Sequence, residues 1–353
     1  PLILDNISFQ DDYEGDFSTR RALIYTLNFT AKTYLFGPIA ESTSGLIKKV
    51  QTDLYTDTNI KTAKREMRYT ATPVPIDAGP ADDFGFTSEK IVGQKIKISA
   101  VLGDQQAAAI GQACFEKGSV KSTYGTGAFL LMNTGEKKIM SKNKLITTIC
   151  YRINNKTTYA LEGSIFIAGA GVQWLRDKIR LIDNAYETEK IAKSKKNSKG
   201  VYVVPAFTGL GAPYWNSKSR GLITGLTRDS DWRDLVRATI ESVAYQTSDL
   251  FLSMRKDGLN PKSVKVDGGM VSNNWFVQFL SEILKIKITR SKINETTALG
   301  AAYMAGYQTG IYRSLSDIKQ NWKKDRDFKP KFNKSYRNKL LQGWQQAIKK
   351  TLA

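Results

Sequence analysis

Three glycine-rich stretches, each placed where an apolar run ends, constrain this chain more than any other feature. They are GDQQAAAIGQA at 103–113, STYGTGAFLLMNTG at 122–135 and KVDGGMVSNNWFVQFLSEIL at 265–284. Glycine at a strand end admits positive φ and lets a ligand or a second backbone approach closely. Around these stretches short apolar runs such as VYVVPAF at 201–207 take turns with longer segments of helical spacing. In residues 231–254, for example, Leu235, Ala238, Thr239, Ser242 and Val243 share one helical face. Strands and helices in alternation predict an α/β fold.

Each stretch has a plain structural alternative. Asp104 follows the apolar run KIKISAVL and precedes an Ala-rich helix, where helix N–H groups would hold a carboxylate ionised and aimed; the alternative is an ordinary helix N-cap. Thr123, Gly125, Thr126 and Gly127 form a tight polar turn whose N–H groups and hydroxyl could face phosphate oxygens; the alternative is a β-hairpin with a glycine turn. The pair Gly268–Gly269 would let a flat or anionic ligand reach a helix N-terminus entered through Ser272 and Asn273; the alternative is a simple strand-to-helix turn. Neither a GxxxxGK[ST] loop nor a GxGxxG fingerprint occurs.

Composition removes whole classes of chemistry. The 353 residues, 41% of them hydrophobic, are enough for two domains with real cores. They contain no histidine, so a Ser/His/Asp triad, an imidazole base and a His-containing zinc site are all excluded. Cys114 and Cys150 have neither zinc nor redox spacing, and a cytoplasmic setting is the expectation. No apolar run approaches the ~18 residues of a membrane span, and the start at Pro1 suggests a fragment. The net charge of +20 is unevenly spread: residues 1–87 carry −3 and residues 88–353 carry +23. Without aromatic platforms or a known module this excess does not point to nucleic acid, and the Lys-rich segment 323–339 reads as a solvated helical face. Texture also changes near residue 87. Before it lie a strand-like stretch at 22–36, a Thr/Asp/Lys segment and a Pro-rich linker at 73–86.

Read in order with ALEGSIFIAGAGVQWLRD (160–177), VYVVPAFTGLGAPYWNSKSRGLITGLTRD (201–229), ESVAYQTSDL (241–250) and TALGAAYMAGYQTG (297–310), the motifs carry a resemblance. From about Ile98 onward the chain resembles the glycerol kinases of the FGGY carbohydrate kinase family. That resemblance implies an actin-like ATPase (ribonuclease H-like) α/β fold closing over Mg-ATP and glycerol, and phosphorylation of glycerol to glycerol 3-phosphate. It implies Asp104 as general base, Gln105 bonded to the polyol and Phe129 packed on its carbon face. Gly125, Thr126 and Gly127 become the phosphate loop, Gly169 and Gln173 nucleotide contacts, and Gly269 and Asn273 the adenosine site. It names no Mg²⁺ ligand in this chain. The chemistry is consistent with the composition, because phosphoryl transfer asks for positioning and charge stabilisation rather than for histidine.

The resemblance assigns 119–353 to the kinase C-terminal domain and recognises in 88–118 only the last strand and helix of its N-terminal domain. The rest of that domain, with its phosphate loop and polyol grip, has no counterpart in residues 1–87, so impaired transfer and self-association into a homo-oligomer through an uncovered apolar surface are expected. Residues 1–87 are similar instead to the C-terminal end of tail-sheath-stabilising proteins of contractile-tailed phages. Three rival readings follow: a nucleotide binder that transfers nothing, a phage-tail assembly protein with a kinase passenger, and a kinase for another sugar.

Overall fold

The computed structural model describes residues 49–56, 61–68 and 79–353, and divides into two compact units between Val101 and Leu102. The strand expected at 22–36 lies outside the described residues. In the first unit β1 (Lys49–Thr56) and β2 (Lys61–Arg68) pair antiparallel from Lys49↔Arg68 to Thr56↔Lys61. Nothing in the polar composition of this stretch predicts strands. Residues 79–86, expected as linker, pair back onto 96–101: bridges join Ala81 to Ala100 and Phe86 to Lys97. Backbone bonds from Val101 N to Pro80 O (3.1 Å) and from Ile98 N to Gly85 O (2.8 Å) hold the two segments together. KIKISAVL therefore forms isolated bridges rather than the strand its apolar pattern suggested. The division falls after residue 101, not at the change of texture near 87. A short helix, α1 (Glu89–Val92), lies between the paired segments.

The second unit is built on a seven-stranded mixed sheet in the order β11-β10-β9-β3-β4-β6-β5. After α2 (Asp104–Gly111), β3 (Val120–Tyr124) and β4 (Ala128–Gly135) form an antiparallel hairpin. The edge strand β5 (Ile146–Ile153) and β6 (Lys156–Ile165) extend it. Helices α3 (Gly169–Asp177) and α4 (Glu187–Ser194) follow, then a two-stranded ladder of β7 (Tyr202–Val204) and β8 (Leu222–Thr224). The long α5 (Trp232–Lys256) begins in a capping box made by Asp231 and Asp234. Strand β9 (Ser263–Asp267) pairs parallel with β3, and a 3₁₀ turn at Gly269–Ser272 leads into α6 (Asn274–Leu284). Strand β10 (Lys287–Ser291), α7 (Thr296–Gln308), α8 (Leu315–Asn321), β11 (Lys324–Phe328) and α9 (Lys334–Leu352) complete the chain.

The expected solvated helix at 323–339 is thus in part an edge strand. β11 carries Lys324, Asp325 and Arg326 exposed, a charged edge that discourages pairing with another chain. The core lies on one side of the sheet, where Tyr124, Leu130, Leu161 and Val266 meet Ile240 and Tyr245 of α5 and Phe276 of α6. On the other side α2 packs on α7 nearly backbone to backbone. A Cβ at Gly111 would stand 1.9 Å from Thr296 O, and one at Gly300 1.8 Å from Ala107 O. Among the described residues no helix is long and apolar enough to cross a membrane.

Candidate active site

Asp104 is the first residue of α2, and Gly103, extended at φ −69° and ψ 151°, is the N-cap. The Asp104 Oδ1 accepts the Gln105 amide at 2.8 Å, which satisfies one of the donors a helix start leaves open, while the side chain stays exposed. The N-cap position thus falls to Gly103, and Asp104 opens the first turn beside it. Gln106 anchors the same turn by donating from Nε2 to Ile149 O at 3.1 Å.

Under this turn the sheet face is polar. Cross-strand register sets Lys121 beside Leu131 and Lys265, and Leu131 beside Glu162. It also sets Thr123 beside Phe129 and Asp267. Lys121 is fully buried and donates to Gln105 Oε1 and, at 3.3 Å, to Thr123 Oγ1. Burial pulls its ammonium below the ordinary lysine range, against the attraction of Asp267, Glu162 and Asp104. Burial likewise pushes the Glu162 carboxyl up, opposed by Lys121. The Asp267 Oδ2 accepts from Gln112 Nε2 and Thr296 Oγ1, and among the described residues its buried Oδ1 has no partner. Asp104, Gln105 and Phe129, the three acceptor-site candidates, therefore stand on the face that α2 covers, Phe129 with its ring partly exposed.

Two of these stretches, TYGTG and DGG, converge with the AGAG turn at 168–171 at the C-terminal ends of parallel β3 and β9, the edge at which α/β sheets bind ligands. The TYGTG turn is a β-hairpin, as the structural alternative had it, and it also shapes a cavity. Its carbonyls at Gly125 and Thr126 receive the Gly169, Ala168 and Ala170 amides at 2.9–3.0 Å, which locks the hairpin onto the start of α3. A Cβ at Gly169 would lie 2.6 Å from Gly125 O. Gly268, at φ 92°, lies against Tyr124, with 2.6 Å between its Cβ position and Tyr124 O. Three backbones meet here at distances only glycine permits.

The resulting cavity of about 800 Å³ is lined by Gly125, Thr126, Gly169, Gln173, Gly269 and Asn273. Of the residues expected to hold nucleotide, Gly127 alone is off its wall. Gly127 is instead pressed against β6, where a Cβ would lie 2.6 Å from Ile165 O. Asn273 is also the N-cap of α6, accepting the Phe276 amide at 2.9 Å and donating to Thr188 Oγ1 at 3.2 Å. Val172, Ile240 and Met270 supply apolar wall; Lys190 adds positive charge, while Arg176 is paired with Asp177 and Lys193 with Glu189, which also lines the wall. Sequence reading missed the three cations and Lys121. The cations belong to no motif, and for Lys121 the only signal was a lysine inside an apolar strand. Volume, glycine backbone and the Lys190 charge fit a nucleoside polyphosphate. Among the described residues no group of three or more acidic or sulfur ligands could hold a metal ion.

The profile of the FGGY family of carbohydrate kinases, C-terminal domain, matches residues 120–309, more than half of the chain. The chain belongs to the FGGY family. That of the T4-like virus Myoviridae tail sheath stabiliser matches residues 1–124. Among FGGY relatives, a glycerol kinase of Alteromonas mediterranea is 54% identical over 268 residues, 76% of this chain and 54% of its own. Glycerol kinase 1 of Pseudomonas aeruginosa is 53% identical over 270 residues, 76% of this chain and 55% of its own. The crystal structure of Plasmodium falciparum glycerol kinase with ADP superposes with a TM-score of 0.73 at 42% identity, covering 78% of this chain and 56% of that one. A xylulose kinase from Lactobacillus acidophilus, at 20% identity and a TM-score of 0.67, shares the fold. The second unit is thus an actin-like ATPase fold of FGGY type, and the chain spans about half the length of the curated relatives it matches.

Proposed function

We propose that this chain supplies the nucleotide-binding part and the proton-accepting carboxylate of an ATP-dependent glycerol kinase. The observation that carries the reading is the convergence of the TYGTG, AGAG and DGG turns on one cavity of about 800 Å³, in a sheet whose β3 also meets the start of α2 through Lys121 and Gln105. The glycerol kinases at 53–54% identity support the choice of polyol. In this reading ATP lies in the cavity, its base against Val172, Ile240 and Met270 and near Asn273, its phosphates toward Gly125 and Thr126. Mg²⁺ when bound would neutralise phosphate charge. Gly127 contributes by letting the loop close on β6. Asp104 takes the proton of the attacking hydroxyl as the O–P bond forms, Gln105 orients the polyol and Phe129 covers its carbon face. Residues 119–353 are then the kinase C-terminal domain, 88–118 the end of the preceding one, and 1–87 a segment of separate, phage-tail-like origin. A cytoplasmic enzyme accords with this chemistry.

The test is ADP release with Mg-ATP, with and without glycerol, on the full chain beside Asp104→Ala. Glycerol-dependent turnover should fall by roughly 10²–10⁴-fold in the variant. Because the chain covers about half of each relative, a second reading is kept: nucleotide binding without transfer. It predicts no glycerol-dependent ADP release, with ATP still raising the melting temperature.

A further inference from the structure

Lys121 is 0% exposed, yet both of its hydrogen-bond acceptors are neutral oxygens, Gln105 Oε1 and Thr123 Oγ1. An ammonium buried in this way costs stability that an apolar side chain in the same strand would not. Its chemistry nevertheless has a definite consequence. The two ends of a glutamine amide have nearly the same shape and differ only in donating or accepting, so the partner decides which way it turns. A protonated lysine only donates. Facing Lys121, Gln105 must present its oxygen to the sheet and turn its NH₂ away, and among the described residues that Nε2 has no protein partner. The adjoining residue is Asp104, whose carboxylate oxygens accept hydrogen bonds. One acceptor beside one donor is the complement of two adjacent hydroxyls. The first gives its proton to Asp104, and the second offers its oxygen to the Gln105 amide.

We infer that Lys121 is a positioning residue that fixes the orientation of the Gln105 amide and thereby selects acceptors carrying a hydroxyl next to the reacting one. The inference rests on the polyol-kinase reading and deepens it to a requirement for a vicinal diol.

The experiment compares the full-length wild type with Lys121→Met by two readouts. The first needs no turnover: the side-chain amide ¹⁵N–¹H signals of Gln105, assigned by their loss in Gln105→Leu. These should shift and approach one another once the amide loses the partner that holds it; unchanged signals overturn the inference. The second is the ratio of kcat/KM for glycerol to that for 1,3-propanediol, which lacks the adjacent hydroxyl. The ratio should drop roughly tenfold in Lys121→Met, the loss of about one hydrogen bond. A merely structural lysine would slow both acceptors alike, and an unmoved ratio rejects the role. If wild type turns over neither acceptor, the polyol reading fails while the amide signals still judge the hold on Gln105. Should Lys121→Met not fold, Gln105→Glu takes its place, since it keeps an oxygen for Lys121 but loses the donor. The ratio should then fall as far, and a retained ratio overturns the inference.

Discussion

Alternate residues of the same strands build two unlike faces. From β3, Val120 and Tyr124 join a continuous apolar core with Leu130 and Met132 of β4, Leu161 of β6 and Val266 of β9, under α5 and α6. From the same strand Lys121 and Thr123 join Glu162 and Asp267 in a polar layer under α2. Strand geometry makes this possible, because a period of two lets neighbouring positions answer to different demands. One face excludes water and holds the sheet together. The other buries charge on the sheet strands themselves, at a cost in stability, and presents Lys121 to Gln105. Stability and chemistry are therefore separable residue by residue along one strand.

The division between the faces is challenged most directly by Phe276→Ala. Phe276 is fully buried and meets the Tyr124 ring edge to face at 5.2 Å between centroids. Truncation should cost about 3–5 kcal/mol, read as a lower denaturant midpoint at an unchanged slope. A loss below ~1 kcal/mol would mean that this face is not where the stability resides.

A finer probe is Asp249, a buried carboxylate of α5 whose hydrogen-bond donors are all neutral. Asp249 accepts Tyr214 Oη at 2.9 Å, Trp344 Nε1 at 2.8 Å and Gln345 Nε2 at 2.8 Å, all neutral donors. Burial pushes its carboxyl up from 3.8 to about 6, with the three donors pulling it down. A folded pKa above the unfolded one means tighter proton binding in the folded chain. The contribution is whole below about 3.8 and is lost as pH rises through about 6. The stability of wild type relative to Asp249→Asn should therefore fall by up to ~3 kcal/mol between pH 4 and pH 7. Denaturant melts across that window measure it, and a pH-independent difference would count against the burial account.

The smallest effect on stability is expected from the polar face itself. Lys121→Met removes a buried ammonium and leaves a side chain of similar length, so the denaturant midpoint should hold or rise slightly, within ~1 kcal/mol, even as acceptor discrimination is lost. A large destabilisation would show that Lys121 supports the sheet, and the division between the two faces would fail with it.

Much of the site was legible in the amino-acid sequence. The TYGTG turn and the DGG–NN stretch stand out as glycine and polar residues at the ends of apolar runs; with Gly169 and Gln173, which only the family resemblance singles out, six of the seven expected nucleotide positions line one cavity, while Asp104 is not on its wall. Arg176, Lys190 and Lys193 were not legible, since each sits on a helix whose pattern reads as an ordinary solvated face. The strands at 49–68 were missed because their polar composition offers no alternation of apolar residues. KIKISAVL misled in the opposite sense: its alternation is strand-like, but its partner segment makes only isolated bridges.

Unaided, the order of the amino acids settled local matters: where strands end, where helices begin, and where only glycine can pass. Such features depend on φ preferences and on side-chain periodicity, which act over a few residues. Tertiary packing settled the others, namely that Gly125, Gly169 and Gly268 meet, that Asp267 lies beside Thr123, and that Lys121 reaches Gln105. Those contacts join residues far apart in the chain, and they exist because sheet register and the close packing of α2 on α7 leave each side chain one place to go.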